Sequence, residues 1–179
     1  EGLERDVYGV EINSELYKEC LSKLNDSLLK HKIKDVKWNL YNENIFMIKW
    51  EFKFDYIVSN PPYIKYHELS TLERDFLKQN FKSCLMGNFD YYYAFIENAL
   101  THLSKTGRMV HIIPNSIFKN VYANKLRDLL KQNIAFIRSY KNEEIFKGVL
   151  VSPVIIMLDK SKESSVVKYK NGVNAQIIE

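Results

Sequence analysis

The chain reads as an α/β protein built on a doubly wound, mainly parallel sheet, and three observations predict it. Short runs of apolar, aromatic and β-branched residues alternate with helical periodicities along its length. An acidic residue, Glu11, stands at the end of the first such run. The tetrapeptide Asn60-Pro61-Pro62-Tyr63 follows the third. Ligands of open α/β sheets bind at the carboxyl ends of strands, where both features fall.

Each element has its own justification. Val7 to Ile12 is a strand pattern, and Asn13 or Ser14 offers a cap to the helix that follows. Leu16, Cys20, Leu24 and Leu28 recur every four residues as one helical stripe. Val36 to Leu40 gives a second strand, and Phe54 to Ser59 a third that reads as buried. Ser70 and Glu73 have the spacing of a capping box for a short helix. Asp90 is placed to cap a longer one with Ile96, Ala99, Leu100 and Leu103 inward, ended by Gly107 at the C′ position. Arg108 to Ile113 is a strand broken by Pro114, and Leu126, Leu129 and Leu130 mark the next helix. Ala135 to Ser139 and Leu150 to Leu158 complete the pattern, with Pro153 arguing for an edge or a bulge.

Composition sets milder bounds. A chain of 179 residues buries one sizeable core and is one domain or a large part of one. No stretch is long and apolar enough to span a bilayer, and no secretory pattern is present. The two cysteines, Cys20 and Cys84, lie far apart and are expected to be small core hydrophobes in a reducing, cytoplasmic setting. The net charge of +4 permits a nucleic-acid partner without requiring one. The stretch from Lys30 to Lys34 reads as a solvated loop. His31, His67, His102 and His111 have no ligand spacing, so no metal site is expected.

The Asn60–Tyr63 corner carries the chemistry. Two prolines end the strand, withhold backbone donors and push the residues before them out of the helical region. Outside the ladder, the Pro61 carbonyl and the Asn60 side-chain oxygen can both accept from one planar NH2 group, with the Tyr63 ring to stack on the π-system bearing it. Two acceptors on its N–H bonds favour a pyramidal, nucleophilic nitrogen as charge develops in the transition state.

That tetrapeptide resembles the catalytic signature of amino-methyltransferases that use S-adenosylmethionine. The order of segments from Tyr8 to Leu158 resembles the gamma-type adenine-N6 DNA methyltransferases of restriction–modification systems. The resemblance implies a Rossmann-like class I methyltransferase sheet. The six glycines are scattered and form no glycine-rich turn, so the sequence is expected to start after that turn and to lack the first strand. It then implies that Glu11 and Ile12 hold the cofactor's ribose and that Asn44 and Ile45 meet its adenine, with Asn44 where the family usually has Asp. Asn60, Pro61 and Tyr63 take the catalytic roles, and Phe146 in Glu144-Ile145-Phe146 packs on a flipped base. Double-stranded DNA is the implied partner. Residues 1–179 would be part of a catalytic domain, with recognition, and any nuclease, in fused or separate domains.

Two other readings remain open. Ser59 to Ile64 also matches glutamine-amide methyltransferases that act on a release factor. Those enzymes usually continue with a Glu-Pro pair, whereas this chain reads Met86-Gly87-Asn88-Phe89-Asp90-Tyr91. The third is a non-catalytic DNA-binding remnant, against which the intact corner speaks. The run Tyr91 to Tyr93 is expected to be mostly core and groove wall.

Overall fold

A computed structural model of the protein describes residues 5–33, 36–140, 152–161, 167–172 and 177–178. It divides into two compact units, Glu1–Glu51 and Phe52–Glu179.

In the first unit, strands β1 (Arg5–Val10) and β2 (Val36–Tyr41) pair in parallel, with Val10 opposite Tyr41. Helix α1 (Ser14–His31) makes the crossover between them. Asn13 is its cap, its side-chain oxygen accepting from the Glu15 and Leu16 amides at 2.9 and 3.0 Å. Lys32 ends it in the left-handed region at φ 51°. The expected stripe is displaced. The half-buried positions are Tyr17, Leu21, Leu24 and Leu28, while Leu16 and Cys20 are exposed. A strict four-residue step overshoots each turn by about 40°, so such a stripe winds off the packed face. Cys20 is therefore not a core hydrophobe, whereas Cys84 is buried.

The second unit is a five-stranded sheet in the order β3-β4-β6-β5-β7. Its strands are β3 (Phe54–Ser59), β4 (Leu103–Pro114), β5 (Ile134–Ser139), β6 (Pro153–Asp159) and β7 (Lys168–Asn171). The β3–β4 and β5–β7 pairs are parallel, and β6 runs against both of its neighbours. Strand β3 is not buried as expected. It lies at the sheet edge within this unit, leaving Tyr56 and Val58 exposed. Strand β6 is interior, not at an edge, and shows no register shift against β4. Pro153 is tolerated because it is the first strand residue, opposite Pro114, where neither proline interrupts the ladder. Leu150 lies outside the described residues.

Helix α2 (Thr71–Asn80) carries the expected capping box, Ser70 accepting from the Glu73 amide and Glu73 from the Ser70 amide. Helix α3 (Tyr92–His102) departs from expectation at both ends. Asp90 does not cap it, because its carboxylate faces Lys65 Nζ at 3.1 Å. Gly107 does not end it; β4 has already begun at Leu103. Gly107 is needed for close approach instead, since a Cβ there would lie 2.8 Å from Leu103 Cδ1 and 3.0 Å from the Phe54 carbonyl oxygen. The buried face of α3 holds Tyr92, Tyr93, Ala94 and Ile96, whereas Ala99 and Leu100 are half-buried. It packs with α4 (Asn124–Leu130) and the Met109, His111 and Ile113 face of β4 as the core.

Candidate active site

The corner sits at the carboxyl end of β3, and β4 holds it. Ser59 is the last residue of β3 and lies opposite His111. The next β4 residue, Ile112, faces a segment whose prolines have no N–H to offer. The Tyr63 hydroxyl serves its carbonyl instead, at 2.9 Å. The same hydroxyl lies 2.8 Å from Asn60 Oδ1. Tyr63 thus curls back to close the tetrapeptide on itself and onto β4. Burial pushes its hydroxyl up to about 12, so it stays a donor at any working pH. The Tyr92 ring meets the Tyr63 ring edge-on, with centroids 6.3 Å apart. Pro61 is buried and Asn60 exposed. Asn60, Pro61 and Tyr63 are therefore together, with the Asn60 oxygen held beside the Tyr63 hydroxyl.

Beyond the corner the chain turns past Ile64, whose carbonyl accepts the Tyr91 amide at 2.9 Å and ties the loop to the start of α3. A cleft of about 280 Å³ opens there, lined by Lys65, Tyr66, His67, Asn88, Asp90, Asn120 and Tyr122. Its walls combine aromatic rings with amide and charged groups. The Arg74 guanidinium lies 4.5 Å over the Tyr66 ring.

In the first unit, Glu11 directly follows β1 and is half-buried. Its Oε1 accepts the Asn13 amide at 2.8 Å, which fixes the carboxylate at the strand end. Asn42 Nδ2 bonds the Glu11 and Ile12 carbonyls at 2.8 and 3.1 Å, holding that strand end against the segment after β2. Ile12 is exposed. Asn44 and Ile45 lie half-buried in the turn beyond β2. Asn44 Oδ1 accepts the Phe46 amide at 3.0 Å, so its acceptor already serves its own turn. Phe146 lies outside the described residues.

The family model of the Eco57I restriction-modification methylases matches residues 5–146. The chain belongs to that family. Among curated relatives of the family's kind, it is 33% identical over 114 residues to the type II methyltransferase M.HincII of Haemophilus influenzae, covering 62% of this chain and 23% of that protein. It is 30% identical over 132 residues to the type II restriction enzyme and methyltransferase RM.Eco57I of Escherichia coli, covering 69% of this chain and 13% of that one. The chain thus spans less than a quarter of the length of either relative. Its fold is that of a Listeria monocytogenes protein described as a class I S-adenosylmethionine-dependent methyltransferase. The TM-score is 0.70 at 20% identity, over 92% of this chain and 49% of that one.

Within this methylase fold, two residues at the corner escaped the sequence reading. In the sequence His111 is a strand residue without ligand spacing, and Ser59 is a strand end that opens the Ser59–Ile64 match; neither pattern points to a role at the corner. Ser59 Oγ lies 2.6 Å from His111 Nδ1. Parallel pairing of Phe54–Ser59 with Arg108–Ile113 was the signal that could have found them, because it brings the two strand ends side by side.

Proposed function

We propose that this chain is part of the catalytic domain of a DNA methyltransferase that methylates N6 of an adenine flipped out of the duplex, with S-adenosylmethionine as donor. The observation that carries the reading is the closed Asn60–Tyr63 corner in a member of this methylase family. Glu11 fits a ribose, since a carboxylate fixed at a strand end by the Asn13 amide suits two vicinal hydroxyls. Asn44 fits less well, because its oxygen is shared with the Phe46 amide and carries no charge. With Ile12 and Ile45, these residues would hold the donor, which supplies an electrophilic methyl group when bound.

The chain's own residues prepare the amine. Asn60 Oδ1 and the Pro61 carbonyl accept its two N–H bonds, and the Tyr63 ring, tied at its hydroxyl, provides a rigid plate for the base. As the nitrogen turns pyramidal its N–H groups grow more acidic, so both acceptor bonds strengthen in the transition state. Flipping the base costs roughly a few kcal/mol of stacking and pairing, recovered in part on that plate. The cleft beyond Ile64 is the side from which we expect the target strand to reach the corner. DNA-sequence recognition, and any nuclease, belongs in this reading to fused or separate domains of a cytoplasmic enzyme.

The test is methyl transfer from labelled S-adenosylmethionine by the full natural chain, offered mixed-sequence duplex DNA and a release-factor peptide in parallel. N6-methyladenine is the expected product. N4-methylcytosine or methylated peptide would overturn the adenine assignment, and no transfer at all would overturn the enzymatic one. Asn60→Ala should abolish transfer while cofactor binding, read by calorimetry, is unchanged.

A further inference from the structure

We infer that His111 is a positioning residue which, through Ser59, sets the direction of the Asn60–Tyr63 corner. Two consecutive residues of β4 grip that corner from its two ends. His111 takes the Ser59 hydroxyl, 2.6 Å from Nδ1, one residue before Asn60. Ile112 takes the Tyr63 hydroxyl at 2.9 Å, at the tetrapeptide's last residue. The strand pairing ends at Ser59, and the prolines at positions 61 and 62 have no N–H to carry it further. The two side-chain bonds replace the ladder.

The environment of the imidazole supports this role over simple packing. His111 is 1% exposed, and Met109 and Ile113 on the same strand face are fully buried. An apolar side chain would fill that place without desolvating two ring nitrogens. Nε2 is buried and has no hydrogen-bond partner among the described residues. The Ser59 bond is therefore what the ring's polarity secures. Burial also lowers the ring to about 4, so it is neutral at working pH and forms the same single bond throughout.

The inference rests on the proposed reaction for its kinetic consequence but not for its structural one, and the test reads both. In the full natural chain, Ser59→Ala and His111→Phe each break the bond, whereas His111→Asn keeps a polar atom near the Nδ1 position. Hydrogen exchange should quicken about tenfold or more at residues 63–66 in the first two variants, with the rest of the sheet unchanged. Exchange in His111→Asn should stay near wild type. On DNA, kcat should fall about tenfold to a hundredfold in the first two variants, as for a loosened acceptor. KM for DNA and the cofactor Kd should be unchanged, and the double variant Ser59→Ala/His111→Phe no worse than either single one. Unchanged exchange in Ser59→Ala, which keeps the core intact, would overturn the proposal. Additive losses in the double variant, or His111→Asn behaving like His111→Phe, would overturn it too. A wild-type chain that methylates no DNA but loosens at the corner in Ser59→Ala would instead count against the proposed function alone.

Discussion

At the scale of single residues, the corner is governed by a few polar groups that range from the exposed Asn60 through the half-buried Ser59 and Tyr63 to the buried His111. His111 gives a test in stability as well as in rate. Its ring sits at about 4 in the fold against 6.5 when unfolded, so the unfolded chain takes up a proton first as the pH falls. The contribution is whole above about 6.5 and drains away toward about 4, for a total on the order of 3 kcal/mol. Denaturant melts across that range should show the loss, and His111→Phe should flatten that limb. For Tyr63→Phe, the Ile112 carbonyl loses its side-chain donor and the fold should lose about 1 kcal/mol in a urea titration. On the proposed reaction, activity should fall further than stability does, since the ring loses the tie that holds it as a plate for the base.

At the scale of elements, most of the framework was legible because local chemistry decides it. The Asn13 cap and the Ser70–Glu73 box are read from adjacent residues and form as read. Ser70→Ala should cost α2 about 1 kcal/mol, measurable as a lowered midpoint in chemical denaturation. The departures arise where a distant neighbour overrides the local signal. Asp90 has the chemistry of a cap, but Lys65 claims it. Gly107 has the look of a helix stop, but Leu103 and the Phe54 carbonyl need its empty side. Pro153 reads as an edge or a bulge, and only the order of strands reveals that a first position inside the sheet accepts it equally well. The corner itself was legible from its four residues. Its support was not, because Ser59 and His111 are 52 positions apart and meet only through strand pairing.

At the scale of the whole molecule, the two units divide the work that the proposed reaction needs. Residues 5–33 and 36–51 carry the acidic strand end, and the second unit carries the corner. These 179 residues have no glycine-rich turn, the part that brings backbone amides to a nucleotide in such sheets. On the proposed reading, a protein of these residues alone should bind S-adenosylmethionine very weakly or not at all and transfer no methyl group, and a chain that also carries such a turn should bind it. Calorimetry on both would decide the matter, and equal affinity would show that Glu11 and its neighbours suffice.

The Tyr63 hydroxyl has one proton and two acceptors, Asn60 Oδ1 and the Ile112 carbonyl, at nearly equal distances. The Asn60 oxygen is thus not a bare acceptor; it already has a neighbouring donor. In the proposed reaction an arriving amine would compete for that oxygen, and the phenol could yield by turning to Ile112. The exchange replaces one hydrogen bond with another, so it adds little to the affinity for an amine at rest. In that reaction the same exchange would become favourable as the amine grows acidic, leaving the incoming base loosely held until it reacts.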